Sequence, residues 1–198
     1  MSRHLLTVDD LERNPWAHCG PAALAACLGI RLEDARAAFP DRSWISVGDM
    51  RRALASISPW FYFTAEDFAA PVVAPSGRPV TWPHAGLVLV QFCGSWSTLP
   101  LQHAAQLERT HWIAVSPCPV ASPTVRASVA GVGYKGSWVF DVNTVDTGPL
   151  GGWRPRETWE QETVPRIVAS YGKKRDGTPR ASGAWWSRCG IEVEVRSR

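Results

Sequence analysis

A cysteine stands at the start of an apolar, alanine-rich segment, residues 19–28 (CGPAALAACL). The composition predicts a short buried helix, and Pro21 suits its first turn because the N–H that proline lacks would be unpaired there. The unpaired N–H groups and the positive dipole end of a helix favour a thiolate over a thiol. Cysteine also packs as a small apolar side chain, so a structural role for Cys19 is the alternative. A catalytic role requires a base elsewhere in the chain.

Two later segments contain residue types that could serve Cys19. Residues 110–116 (THWIAVS) predict a strand that carries His111, and residues 137–143 (SWVFDVN) predict a strand that carries Asp141 and Asn143. A catalytic thiol needs a base that takes its proton and returns it to the leaving group. A third group must hold the imidazole in one tautomer. Alternate residues of a strand face the same way, so either Asp141 or Asn143 could orient the imidazole.

The three segments together resemble papain-like cysteine peptidases, and among them the bacteriocin-leader (double-glycine) peptidase-like branch. The resemblance rests on residues 19–25, on residues 111–115, and on residues 139–143 followed by Gly148. It implies an α+β fold in which an N-terminal helical half packs on an antiparallel sheet. It also implies Cys19 as nucleophile, His111 as base and Asp141 as orienting acid, with Asn143 as the alternative.

The resemblance further implies a side-chain amide shortly before the nucleophile, which joins the Cys19 N–H in an oxyanion hole. Family members carry a Gln there, whereas this chain has Arg13. Asn14 is the upstream amide within reach, and its side chain is one methylene shorter than that of Gln. An oxyanion donor contributes about 3–4 kcal/mol to acyl transfer, so this substitution bears on the rate.

Aromatic and polar residues beside the three segments are candidates for a substrate cleft. We expect Trp16, His18 and Trp153 to line it, because they stand next to Cys19 or follow Asp141. His18 is also an alternative base, although a neighbour at a helix start usually points away from the reacting group. Trp112 lies on the opposite strand face from His111, which favours a core position.

Length and composition fit one globular domain, with 198 residues, 45% hydrophobic and 20% charged. The resemblance places the core at about residues 10–155, and residues 156–198 would form a C-terminal helix and strand extension. The net charge is +3, and most of the basic excess lies within residues 154–198, in a distribution more typical of a solvated face, so a nucleic-acid partner is not expected. A peptide or protein is the expected substrate, and the oligomeric state stays open.

The five cysteines show no closely spaced pair of the kind that binds zinc, so neither a metal nor another cofactor is expected. The N-terminus lacks the apolar run of a signal peptide, and no segment reaches the roughly 20 apolar residues of a membrane helix. A cytoplasmic enzyme is therefore expected, and a phage-encoded or virion-associated protein remains an alternative.

Periodicity and turn residues predict helices first and strands later. The predicted helices are residues 19–28, residues 32–39 before Pro40, a helix capped by Ser46 and Asp49 and ended by Pro59, and residues 158–170 with a break at Pro165. The predicted strands are residues 61–64, 86–92, 110–116, 137–143 and 190–195.

Three functions remain open at this point. The first is a cysteine peptidase that cleaves a peptide or isopeptide bond through a thioester. The second is an acyl-transferring enzyme with the same triad, similar to transglutaminases or arylamine acetyltransferases. The third is a catalytically silent papain-like module with a binding or virion structural role.

Overall fold

The computed structural model describes residues 6–13, 19–39, 44–57, 61–68, 82–97, 109–118, 136–146 and 150–195. Within these ranges, helices come first along the chain and strands follow. The elements are α1 (Val8–Arg13), α2 (Cys19–Leu28), α3 (Leu32–Arg36), α4 (Val47–Ile57), β1 (Phe61–Phe68), β2 (Gly86–Gly94), β3 (Thr110–Ser116), β4 (Trp138–Phe140), a 3₁₀ turn (Val142–Thr144), β5 (Trp153–Pro155), α5 (Arg156–Thr158), a π-helical turn (Trp159–Thr163), α6 (Val164–Ser170) and β6 (Ala181–Val195).

Helix α2 begins at Cys19, as predicted, and is buried because its side chains are small. All residues from Gly20 to Ala26 are buried, and the helix packs on β3. Gly20 has no room for a side chain, since a Cβ there would lie 2.8 Å from Cγ1 of Ile45. Ile45 therefore packs directly against the first turn of α2 and fixes the depth at which the helix start is held.

Helix α4 begins with the predicted capping box. The Ser46 hydroxyl accepts from the Asp49 N–H at 3.1 Å, and the Asp49 carboxylate accepts from the Ser46 N–H at 3.0 Å. The two bonds satisfy N–H groups that the helix itself leaves unpaired, which fixes the helix start. Helix α3 is shorter than predicted, because it ends at Arg36 and residues 37–39 form a turn. Pro40 and Pro59 lie outside the described residues.

The strands form one antiparallel sheet in the order β1-β6-β2-β3-β4-β5. Helices with an antiparallel sheet confirm the α+β class. Strand β3 has the predicted bounds, whereas β1, β2 and β6 are longer than predicted and β4 is shorter. Because β6 lies between β1 and β2, a core that ended near residue 155 would lack an inner strand. The structure corrects that boundary.

Alternate residues of the inner strands supply two separate cores. Trp112 and Ala114 of β3 face α2 and the other N-terminal helices, whereas Ile113 and Val115 face Trp159 and the segment that follows it. The sheet is therefore covered on both faces, by the N-terminal helices on one and by the helical residues 156–170 on the other.

A helix interrupted at Pro165 was predicted for residues 158–170. The structure has α5, then the π-helical turn that begins at Trp159, and then α6, in which Pro165 occupies the first turn. The irregularity thus precedes the proline, which sits where its missing N–H costs least. In the part of the chain that the structure describes, no helix is long and apolar enough to cross a membrane.

Candidate active site

The Cys19 thiol lies beside an unpaired stretch of strand edge. Strand β4 pairs with β3 only at residues 114–116, so the β3 edge before Ala114 has no β4 partner. The start of α2 lies at this position, where the Trp112 backbone N–H donates to the Cys19 Sγ at 3.3 Å. Cys19 is half-buried at the helix N-terminus. A thiolate there gains both the Trp112 hydrogen bond and the helix dipole.

His111, one residue before Trp112, connects Cys19 with Asp141. Its Nε2 lies 2.8 Å from the Asp141 Oδ1, and its side chain is close enough to the Cys19 thiol for the two charges to stabilise each other. Since Nε2 is engaged by the carboxylate, Nδ1 is the ring nitrogen available to the Cys19 Sγ. His111 is 9% exposed, so these partners fix the orientation of its imidazole where little water reaches it. Cys19, His111 and Asp141 therefore form one interacting group, in which His111 interacts with both the thiol and the carboxylate.

Asp141 is fully buried, and both of its carboxylate oxygens accept hydrogen bonds. Oδ1 accepts from the Asn143 backbone N–H at 2.8 Å and from the Asn143 Nδ2 at 3.0 Å, besides its contact with His111. Oδ2 accepts from the Trp159 indole Nε1 at 2.8 Å. The Asn143 Nδ2 also lies 3.4 Å from the His111 Nε2. Asn143 therefore supports the carboxylate, which is the closer partner of the imidazole.

The predicted strand 137–143 ends earlier than expected. Strand β4 stops at Phe140, and Asp141 caps a 3₁₀ turn that contains Asn143. The two side chains do not share a strand face, which corrects the sequence-based argument. They converge because the turn brings Asn143 back over the Asp141 side chain.

Bonds to Gly152, the residue before β5, hold this turn in place. The Thr144 hydroxyl lies 2.7 Å from both the Asp141 and the Gly152 carbonyl oxygens. Gly152 has a φ of +93°, and a Cβ there would lie 2.9 Å from Cε2 of Phe140. Only glycine fits this combination of positive φ and close approach. The position of the Asp141 carboxylate thus depends on Gly152.

Trp159 is the functional residue that sequence reasoning missed. It is fully buried, it begins the π-helical turn, and it is the described residue that donates to the Asp141 Oδ2. A buried indole N–H needs an acceptor, but this requirement holds for every buried tryptophan and does not single out one of eleven. The sequence therefore contained no signal specific to Trp159.

The electrostatics of the site favour a charged thiolate and imidazolium. Burial opposes charge on Cys19, but the His111 charge and hydrogen bond and the Trp112 N–H outweigh it, so the Cys19 pKa is lowered. Burial likewise opposes charge on His111, but Asp141 and Cys19 outweigh it, so the His111 pKa is raised well above its ordinary value. The Asp141 pKa is lowered against burial by His111, Trp159 and Asn143.

Cys93 does not share this environment. Burial raises the pKa of Cys93 to about 11, and no charged group counters it. None of the five cysteines, all within the described ranges, forms a disulfide. In the described ranges, no group of three or more His, Cys, Asp or Glu side chains is arranged to hold a metal ion.

The expected cleft residues have different outcomes. Trp153 is 1% exposed and packs against Phe140 in the core on the α2 face of the sheet, so its expected place in a cleft is wrong. The physical reason is that β5 pairs with β4, which turns this side chain inwards. Trp112 is also 1% exposed, as predicted for a core residue. Asn14, Trp16 and His18 lie outside the described residues.

The arrangement has the parts needed for nucleophilic acyl transfer. Cys19 supplies a thiolate, His111 a proton carrier, and Asp141 a buried counter-charge that fixes the imidazole tautomer. Comparison of the chain with protein families, with curated proteins and with solved structures gives no match.

Proposed function

We propose that this chain is a papain-like cysteine peptidase that hydrolyses a peptide or isopeptide bond through a thioester. The observation that carries the proposal is the buried chain from the Cys19 thiol through His111 to the Asp141 carboxylate. A cysteine that only packs in a core needs neither an imidazole partner nor a carboxylate behind it. The N-terminal helices against an antiparallel sheet are compatible with the papain-like part of the proposal.

In the first step, the Cys19 thiolate attacks the carbonyl carbon of the scissile bond. A C–S bond forms, and the carbonyl oxygen becomes an oxyanion. Cys19 begins α2, so its backbone N–H belongs to the first turn, in which N–H groups have no partner within the helix. That N–H is the oxyanion donor we assign, together with the Asn14 amide.

In the second step, the C–N bond breaks and the leaving nitrogen takes the proton of the His111 imidazolium. A water molecule then attacks the thioester while His111 removes a proton from it. The C–S bond breaks, the acid product leaves, and the thiolate and imidazolium are restored. Asp141 stabilises the imidazolium throughout and does not itself take the proton.

The test is a digest of a peptide library that is analysed by mass spectrometry. Wild-type protein is compared with Cys19→Ala and with Cys93→Ala, a matched control that removes a half-buried thiol with a raised pKa. We expect cleavage by the wild type and by Cys93→Ala, and none by Cys19→Ala. Cleavage by Cys19→Ala at the wild-type rate would overturn the proposal.

The same digest distinguishes hydrolysis from transfer. Parallel reactions contain a simple amine such as glycine amide, which competes with water for the thioester. Free carboxyl products with little amine incorporation support a peptidase. Products ligated to the amine would instead support the acyltransferase. A Cys19 thiol that is not activated, with no turnover, would support the silent module.

A further inference from the structure

A cationic and aromatic cluster lies on the same face of the sheet as His111, and the triad does not use it. We define the Arg109 cluster as Arg109, Trp96 and Tyr171. The Arg109 guanidinium carbon lies 4.7 Å from the centre of the Tyr171 ring and 5.3 Å from that of the Trp96 ring. The two rings meet edge to face at 5.3 Å, and Trp96 is nearly buried. The guanidinium is therefore held against two aromatic rings.

Arg109 carries a half-buried charge that no carboxylate among the described residues neutralises. Within the described part of the chain, its buried Nε has no hydrogen-bond partner, and no carboxylate forms an ion pair with it. Arg156 offers a comparison, because it stacks on the Trp82 ring at 4.0 Å but is also paired with Glu160 at 2.8 Å. Aromatic faces offset part of the cost of a desolvated cation, yet an anion would offset more of it.

The position of Arg109 relative to His111 is fixed by the backbone. The Phe92 N–H donates to the Arg109 carbonyl at 3.1 Å, which continues the pairing of β2 and β3 by one residue. Arg109 and His111 are thus alternate residues of one extended strand, on one face and about 6.6 Å apart along it. The Phe92 ring is close to both His111 and the Tyr171 ring that contacts Arg109, with its centre 6.4 Å from that of His111 and 6.0 Å from that of Tyr171.

The charges that act on Tyr171 also indicate that the Arg109 cluster lies near the triad. Burial raises its pKa to about 12, the Arg109 charge opposes this shift, and the charges of Cys19 and Asp141 add to it. A ring that contacts Arg109 therefore also lies within the field of the catalytic groups.

We infer that Arg109 binds a carboxylate in the departing part of the substrate. This inference rests on the proposed function, in which His111 protonates the leaving nitrogen and the departing fragment must lie against His111. A carboxylate one or two residues beyond that nitrogen can reach a guanidinium on the same strand face. Both a free C-terminus and an Asp or Glu side chain provide this carboxylate.

The library digest tests the inference with two versions of each peptide, one with a free C-terminus and one amidated. In the wild type we expect cuts to concentrate where a carboxylate lies shortly after the scissile bond. Persistence of that preference in the amidated library identifies an Asp or Glu side chain, and its loss identifies the C-terminus.

Variants of Arg109 decide the assignment. Arg109→Gln should lower the rate for carboxylate-bearing peptides by about tenfold and leave other peptides unaffected, since it removes a charged hydrogen bond. Arg109→Lys, which keeps the charge, should lose less, and Arg156→Gln should match the wild type. An unchanged cleavage preference in a folded Arg109→Gln protein, with circular dichroism as the check, would overturn the inference.

A second measurement separates this inference from the proposed function. Triglycine and triglycine amide imitate the departing fragment with and without its carboxylate. For each peptide, we measure the concentration that halves the rate of Cys19 alkylation by iodoacetamide. We expect triglycine to protect Cys19 at about tenfold lower concentration than triglycine amide does, and we expect Arg109→Gln to remove this difference. Absence of Cys19-dependent cleavage would overturn the proposed function alone, whereas equal protection by the two peptides would overturn the Arg109 site.

Discussion

Replacing Trp159 by Phe tests whether the buried indole positions the catalytic acid. The change keeps an aromatic ring in the core and removes the N–H that donates to the Asp141 Oδ2 at 2.8 Å. Among the described residues, Trp159 is the only donor to that oxygen, whereas Oδ1 keeps His111 and Asn143. The variant therefore leaves one oxygen of a fully buried carboxylate without a partner.

The expected size of the effect follows from this geometry. An unsatisfied buried acceptor costs about 1–3 kcal/mol, and this cost falls on the orientation and charge of Asp141. If about 1–2 kcal/mol of it appears in the transition state, where the imidazolium depends most on Asp141, turnover falls by roughly 5- to 30-fold. The affinity for substrate should change little, because Trp159 contacts the acid and is fully buried.

The pH profile gives a second readout with a defined sign. The Trp159 hydrogen bond helps to lower the Asp141 pKa, so its loss raises that pKa towards the ordinary value. Protonation of Asp141 then begins at a higher pH, and the fall in kcat on the acid side should move to higher pH. A change that only loosened the core would not move this limb.

The assay compares kcat, KM and the pH profile of Trp159→Phe with those of wild type and Trp185→Phe. Trp185 packs edge to face against Trp159 at 5.3 Å and controls for the lost ring volume. Urea unfolding of each variant separates loss of stability from loss of function. An unchanged kcat and acid limb in folded Trp159→Phe, or an equal loss in Trp185→Phe, would refute the positioning role.

Three further predictions concern the triad and its supporting contacts. At saturating substrate, Asp141→Ala should lower kcat at least about tenfold more than Asn143→Ala, because Asp141 supplies the charge that stabilises the imidazolium. A larger loss of kcat in Asn143→Ala, with both folds confirmed by circular dichroism, would contradict this prediction. Near pH 6, iodoacetamide should alkylate Cys19 at least about 100-fold faster than Cys93, since the Cys19 pKa is lowered and burial raises the Cys93 pKa to about 11. Similar alkylation rates, measured by peptide mass spectrometry, would mean that the Cys19 thiol is not activated. Gly20→Ala puts a methyl group 2.8 Å from the packed Cγ1 of Ile45 and should lower the free energy of unfolding by about 1–3 kcal/mol. An unchanged urea midpoint would show that the start of α2 accommodates the methyl group.

Local sequence rules predicted the elements whose formation depends on neighbours in the chain. The pattern of residues 110–116 predicted β3 with its observed bounds, and the reciprocal bonds of Ser46 and Asp49 follow from their spacing. The start of α2 at Cys19 was likewise predicted from the proline and small residues that follow it. These features need no knowledge of the rest of the fold, because the groups that stabilise them lie within a few residues.

The residues that meet from distant parts of the chain were partly predictable. The chemistry of a thiol enzyme pointed to Cys19, His111 and Asp141, and the structure brings them together. The resemblance favoured Asp141 over Asn143, although an assumed strand gave the two residues one face. The 3₁₀ turn distinguishes them by burying one carboxylate and leaving the Asn143 side chain as its donor.

Tertiary structure alone decided which aromatic side chains serve the site. Trp153 follows Asp141 closely in sequence but packs into the core, whereas Trp159 on the far face of the sheet donates to the Asp141 carboxylate. Strand β6, from the end of the chain, completes the interior of the sheet. Each outcome depends on which strands pair and which face a side chain then presents. The sequence by itself determined the reacting groups and their local elements, and the pairing of strands distant in the chain determined the partners of those groups.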